Sequence, residues 1–175
     1  LLSNIYLHYV LDIWFPAKIA PQCHGKSFLF RYADDFVVCF ERKEDAERFI
    51  PALRQRLEKF SLQLAEEKTR CLPFGKFSRE DAQRRGEKPA EFTFLGLTHY
   101  MGKTRKGWAK VKRRTSRKKL QQGLSKLKDW MRKSRSVITT NEFLRAAKIR
   151  VAGHLRYYGI TDNGTWVSRF RYYAT

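Results

Sequence analysis

The sequence predicts an α+β chain, with antiparallel hairpins and helices over residues 1–113 and an all-α basic segment over residues 114–175. Three observations lead there. Short apolar runs with period-two alternation come in pairs around tight turns. Amphipathic stretches at helical spacing precede, separate and follow them. The charge is split as well: residues 1–102 hold 16 Lys/Arg and 14 Asp/Glu, whereas residues 103–175 hold 21 Lys/Arg and 3 Asp/Glu.

Taken in order, residues 3–15 read as a helix. Ile5, Tyr6, Tyr9, Val10 and Ile13 form its apolar stripe, and Pro16 stops it. Residues 27–33 and 36–40 read as two short, buried strands joined by a tight acidic turn at Asp34-Asp35. Residues 43–60 read as a helix with Ala46, Phe49, Ile50, Leu53, Leu57 and Phe60 on one face. Pro51 lies inside it and is expected to kink or loosen it. Residues 62–64 and 68–73 are candidate strands around a charged turn, and residues 76–90 read as an exposed loop. Residues 92–100 and 107–113 form a second hairpin turned at residues 102–106. A basic helix follows over residues 116–133, with Leu120, Leu124, Leu127 and Met131 on one face. Another starts near Thr139, where Thr139 and Glu142 have capping-box spacing. Its apolar face is Phe143, Ala147, Val151 and Leu155.

Composition narrows the class. The 175 residues are 42% hydrophobic and 14% aromatic, enough to bury a core. No run of about 18 apolar residues exists, so no membrane span is expected. The start lacks Met and lacks the build of a signal peptide, and it reads as a chain entered in mid-domain. Cys23, Cys39 and Cys71 lie far apart and form no CxxC pair, which fits a reduced cytoplasm. The net charge is +20, of which +18 lies in residues 103–175. Self-repulsion on that scale points to a polyanionic partner, of which nucleic acid is the usual one. The plain alternative is a highly solvated face. An anionic membrane surface fits less well, because the cations are interleaved with Trp, Leu and Tyr at core-like spacing.

Asp34 and Asp35 are the sharpest chemical signal. Asp is a common turn residue, but no Asn, Gly or Ser accompanies the pair; Tyr32 and Phe36 flank it instead. Two carboxylates about 4 Å apart repel by roughly 4 kcal/mol at an effective dielectric of 20. Such a pair needs a cation or must take up a proton. Magnesium, a hard ion with oxygen ligands, is the default where phosphates are substrates.

Arg31-Tyr32-Ala33-Asp34-Asp35-Phe36 resembles the YxDD motif of reverse transcriptases, in the YADD form of group II intron-encoded and related bacterial enzymes. The resemblance continues in order along nearly the whole chain. Leu1-Leu2-Ser3-Asn4-Ile5-Tyr6-Leu7 resembles the end of the preceding block. Leu62 to Thr69, ending Glu67-Lys68-Thr69, resembles the next. Phe92-Thr93-Phe94-Leu95-Gly96-Leu97 resembles the block that grips the primer. The basic helices after residue 113 resemble the thumb and the start of the maturase-specific region.

The resemblance implies a partial polymerase palm over residues 1–113 and a helical thumb over residues 114–175. It implies RNA-directed DNA synthesis with an RNA template, a DNA primer, deoxynucleotides and two magnesium ions, together with intron RNA binding that assists splicing. Asp34 and Asp35 are implied metal ligands. Tyr32 and Ala33 would lie beside the primer end and the incoming nucleotide, and Phe94, Leu95 and Gly96 would position the primer. Lys68 is implied as the acid that protonates pyrophosphate; it reads equally as a surface lysine beside Glu66 and Glu67. For Phe94 and Leu95 the plain alternative is strand core.

The family's catalytic set includes a third carboxylate from an earlier strand. Asp12 is the one acidic residue before the hairpin. It sits on a helix and is not assigned that role. The chain by itself is therefore expected to lack polymerase activity and to need a complementing N-terminal segment.

Arg113, Arg114, Arg117, Lys118 and Lys119 cluster at an expected helix start, where cations oppose the helix dipole; phosphate binding explains them better than folding does. Lys126, Lys128, Arg132, Lys133, Arg135, Arg145, Lys148, Arg150 and Arg156 extend the charge. Trp108, Trp130, Tyr157 and Tyr158 are candidates for stacking on bases, though Trp130 suits a core. No Cys/His cluster marks an HNH-type nuclease, and no P-loop is present. His8, His24, His99 and His154 are scattered and read as structural. Two other functions fit the pattern: a non-enzymatic RNA-binding maturase or remnant, and a defence-related or diversity-generating reverse transcriptase.

Overall fold

The computed structural model describes residues 2–174. The chain mixes helices with two small antiparallel sheets and forms two compact units, one ending at Leu72 and the other starting at Pro73. The boundary expected near residue 113 falls inside the second unit. Among the described residues no helix is long and apolar enough to cross a membrane.

In the first unit, helix α1 (Leu2–Leu7) runs on as π-helical turns, His8–Asp12 and Phe15–Ile19, and a 3-10 turn, Ala20–Gln22. Helical backbone thus continues past Pro16, where the sequence predicted a stop. Pro16 occupies the first turn of the second π segment, where no intrahelical N–H is required. The wider turns also rotate the buried face. Val10, Leu11 and Phe15 are buried, while Ile5, Tyr6, Tyr9 and Ile13 of the expected stripe are exposed. Arg56 donates to the carbonyls of Tyr9 and Val10, each at 3.2 Å, and so supplies donors to the widened backbone.

Strands β1 (Ser27–Tyr32) and β2 (Asp35–Phe40) pair antiparallel, from Ser27 opposite Phe40 to Tyr32 opposite Asp35. Leu29, Phe36, Val38 and Phe40 pack on a core of Val10, Leu11, Phe15, Phe49, Leu53 and Leu57. Helix α2 (Lys43–Lys59) supplies the last three and continues as one element through Pro51. Its buried Asp45 accepts from the backbone N–H groups of His24 and Gly25 and from Arg48, which ties the approach to β1 onto α2. The strands expected at residues 62–64 and 68–73 do not form. Leu62 and Leu64 do alternate onto the core, but no ladder partner meets them, and Glu66–Lys68 is a 3-10 turn.

In the second unit, residues 78–84 form helix α3 (Ser78–Arg84) where an exposed loop was expected. Ala82 buries its face, and Glu80 and Asp81 suit its first turn. Strands β3 (Glu91–Phe94), β4 (Leu97–Lys103) and β5 (Ala109–Thr115) form an antiparallel sheet in that order. The single strand expected over residues 92–100 is broken, because Leu95 and Gly96 both have positive φ, 51° and 77°, as a two-residue type I′ turn requires.

Helices α4 (Arg117–Ser134), α5 (Thr140–Tyr158) and α6 (Gly164–Ala174) follow. The capping box is present: the Thr139 side chain accepts from the Glu142 N–H, and Glu142 accepts from the Thr139 N–H. Leu120, Leu127 and Phe170 are buried together, with Leu124, Met131, Val151 and Leu155 against them. Sequence periodicity did not reveal α6, whose Phe170 nonetheless completes this core. Asn163 is fully buried and fastens sheet to helices. Its Oδ1 accepts from the Thr115 N–H at 2.7 Å, and its amide donates to Thr115 Oγ1 and to the Tyr158 carbonyl.

Candidate active site on an acidic hairpin

The turn between β1 and β2 consists of Ala33 and Asp34. Ala33 has φ of 55° and Asp34 does not share the positive sign, the pattern of a type II′ turn. Glycine is the usual residue at the first of these positions. An alanine held in the left-handed region costs about 1–3 kcal/mol and persists only where surrounding contacts impose it.

Those contacts come from Arg31. Its side chain points inward from β1 and is 12% exposed. Its Nη1 donates to the Ala33 carbonyl at 2.7 Å. Its Nε and Nη2 donate to the two oxygens of Asp12, at 2.7 and 2.5 Å, a bidentate pair. The Arg31 hydrogen bonds hold the Asp12 carboxyl below the usual aspartate range against the opposing effect of burial, and His8 adds to the lowering. The helical segment thus grips the turn through Asp12 and Arg31. No role was assigned to Arg31 from the sequence, yet a charged residue on the inward side of an apolar strand demands a partner.

Antiparallel pairing places Tyr32, Asp35, Phe30, Val37, Phe28 and Cys39 on one side of the hairpin. Tyr32, Phe30 and Phe28 are exposed, with Phe28 stacked on Phe30 at 6.5 Å. The sequence predicted buried strands gripping the acidic pair between Tyr32 and Phe36. Instead Phe36 packs on the core while Tyr32 stands in solvent, 65% exposed, at the end of an aromatic row that finishes at Asp35. Asp34 and Asp35 are exposed. Among the described residues no cation lies within ion-pair distance of either. Both carboxylates are therefore free to meet a cation from solution. Among the described residues no group of three or more His, Cys, Asp or Glu side chains is arranged to hold a metal.

The other candidate residues divide between the two units. Lys68 lies on the exposed 3-10 turn of the first unit, and Glu66 beside it pairs with Arg54 at 3.1 Å. Phe94, Leu95 and Gly96 come together in the β3–β4 turn of the second unit. Tyr157 Oη donates to the Leu95 carbonyl at 3.1 Å, and the Ser116 N–H donates to the Gly96 carbonyl at 3.0 Å. A Cβ at Gly96 would lie 2.9 Å from Tyr158 Oη and 3.2 Å from Lys119 Cγ, so glycine is required there by both space and φ.

Arg113 and Arg114 belong to β5, not to the helix start expected from the sequence, because Thr115 and the cap residue Ser116 intervene before α4. Arg114 is already engaged, paired with Glu91 at 2.6 Å and placed over the Tyr100 ring. Arg117, Lys118 and Lys119 do form the exposed first turn of α4. Tyr158 is buried and so cannot stack on a base. Trp130 stacks on Phe143 under Arg150, as its core-like spacing implied.

Residues 1–99 match the family described as reverse transcriptase (RNA-dependent DNA polymerase). No curated protein and no solved structure matches the chain. The matched stretch covers more than half of the sequence and contains the clamped acidic turn, its aromatic row and the Leu95-Gly96 turn, so the chain belongs to the reverse transcriptase family.

Proposed function

We propose that the chain forms the palm and thumb of a group II intron-type reverse transcriptase, which copies RNA into DNA and also binds intron RNA. The observation that carries this reading is the Arg31–Phe36 hairpin. It presents two unpaired carboxylates on a turn held in an unfavourable backbone conformation by a bidentate Arg31–Asp12 pair.

The donor set suits magnesium, since both donors are exposed carboxylate oxygens of adjacent residues. Asp34 and Asp35 would hold such an ion together with a further carboxylate, a role that Asp12 does not fill because it is committed to Arg31. Magnesium bound there would supply Lewis-acid stabilisation of charge on the transferring phosphoryl group. Tyr32, exposed beside Asp35, offers a ring against which a primer or nucleotide sugar rests. The small side chain of Ala33 leaves the turn open to substrate. Lys68, exposed and flanked by Glu66 and Glu67, is assigned the proton donated to pyrophosphate. In the second unit the Leu95-Gly96 turn, braced by Tyr157, seats the primer.

Asp34→Ala tests the reading. In an enzyme that joins this chain to its complementing segment, the substitution is expected to abolish DNA synthesis and to leave RNA binding intact. Synthesis persisting at the unaltered rate would refute the assignment. A second reading, an RNA-binding maturase without polymerase activity, is favoured by the net charge of +18 in residues 103–175. It predicts that Asp34→Ala leaves every function of the protein unchanged.

A further inference from the structure

The second unit carries a cleft that none of these roles uses. It lies between α3 and the β4–β5 hairpin and encloses about 120 Å³. Small-molecule pockets start at roughly 300 Å³, so this one admits a single flat ring and not a cofactor. Met101, nearly buried, lies among its lining residues. Phe77 and Trp108 line it too and remain 60% and 67% exposed. Most of the surface of each ring is left in solvent.

The backbone holds Trp108 in place. The Thr104 N–H donates to the Trp108 carbonyl at 2.8 Å, and the Trp108 N–H donates to Thr104 Oγ1 at 3.1 Å. Gly107, with φ of 83°, closes the three-residue loop that carries Arg105 and Lys106. A tryptophan is not a turn residue by propensity, so its presence at a cationic hairpin tip asks for another reason.

Charge identifies the occupant. Lys76, Arg79 and Lys103 line the cleft against a single anion, Glu80, and Lys103 lies 3.6 Å from it. That exposed pair is weak and open to competition. Lys76 Nζ also lies 5.1 Å from the Phe77 ring centroid. Protein–protein interface centres favour aromatics but are depleted in lysine. Aromatic rings set among Lys and Arg are instead the pattern of single-strand nucleic-acid sites, where bases stack and phosphates meet cations. A duplex keeps its bases paired and offers no free ring face.

We propose that this cleft binds one unpaired base of single-stranded RNA, its ring against Trp108 and Phe77 and its flanking phosphates on Lys76, Arg79 and Lys103. The inference rests on the nucleic-acid-binding part of the proposed function, and it is independent of catalysis.

The test measures binding of fluorescein-labelled oligouridylate, a DNA strand of equal length and an RNA duplex to the full chain by anisotropy, over a range of salt. Trp108→Ala is expected to weaken oligouridylate binding roughly 10-fold, with the salt slope and duplex binding unchanged. Trp108→Phe is expected to restore most of the affinity, and circular dichroism checks that each variant is folded. Lys103→Gln is expected to lower the slope by about 0.7, one single-strand phosphate. Unchanged oligouridylate affinity in Trp108→Ala, or equal loss for the duplex, would overturn the cleft. Preference for the DNA strand would overturn the assignment to RNA. A Trp108-independent affinity sinks this inference alone, whereas failure of the unaltered chain to bind any nucleic acid sinks the RNA-binding reading with it.

Discussion

Arg31 shows how one side chain can decide the geometry of an acidic turn. Its guanidinium is planar and carries donors in a fixed fork. Two nitrogens engage Asp12, and the third donates to the Ala33 carbonyl, so the turn is held from beneath. Asp12→Asn keeps the shape but removes the charge and one acceptor pairing. It is expected to cost about 1–2 kcal/mol, the range for a partly exposed charge-assisted hydrogen bond, read from urea denaturation. The pH dependence has a definite sign. Asp12 titrates lower in the folded state than in the unfolded chain. Its contribution is therefore complete above the ordinary aspartate value of about 3.9 and is lost as pH falls through the lower folded-state value. The difference between Asp12→Asn and the unaltered chain should shrink over that acid window; a constant difference would refute the pair's role. Arg31 and Asp12 were both readable as residues in want of partners. Their pairing was not, because the π-helical turns that set the direction of Asp12 leave no mark in 3.6-residue periodicity.

At the scale of elements, local signals survived best. The Thr139–Glu142 capping box is written within four residues and forms as its spacing implied. Helix α2 is likewise specified by its own apolar stripe. The expected strands at residues 62–64 and 68–73 failed for the opposite reason: alternation shows that one side faces a core, but a strand also needs a neighbour to pair with. Helix α6 went unseen because it is short and its burial depends on α4 and α5. Asn163, just before it, is the clearest case of a residue whose importance is entirely tertiary. Asn163→Ala would leave the buried Thr115 N–H and Tyr158 carbonyl without their partner. It is expected to destabilise the second unit by about 2–4 kcal/mol, measured by hydrogen exchange in β5 and α5. A loss under about 0.5 kcal/mol, the range of ordinary surface substitutions, would contradict the fastening role.

For the whole molecule, the decisive property is the concentration of positive charge in residues 103–175. The affinity for RNA is expected to fall with salt on a log–log plot, by roughly 0.7 to 0.9 per phosphate neutralised. A salt-independent affinity would count against the basic surface as the RNA-binding face. On the proposed reading, in which Asp34 and Asp35 would hold magnesium together with a further carboxylate, the purified chain is expected to show no primer extension, because Asp12 is committed to Arg31. Robust extension by this chain in magnesium would disprove that account.

The sequence by itself determined the acidic pair, the basic asymmetry, the capped helix start at Thr139 and the family to which the motifs point, because each is carried by residue identity and short-range spacing. Tertiary structure alone decided that Tyr32 faces solvent, that Ala33 is held with positive φ, that Arg31 reaches Asp12, and that the Leu95-Gly96 turn is braced by Tyr157. Each of these depends on which distant segment supplies the opposing donor, acceptor or apolar surface. The pairings are fixed by the closure of a whole core, which no local pattern encodes.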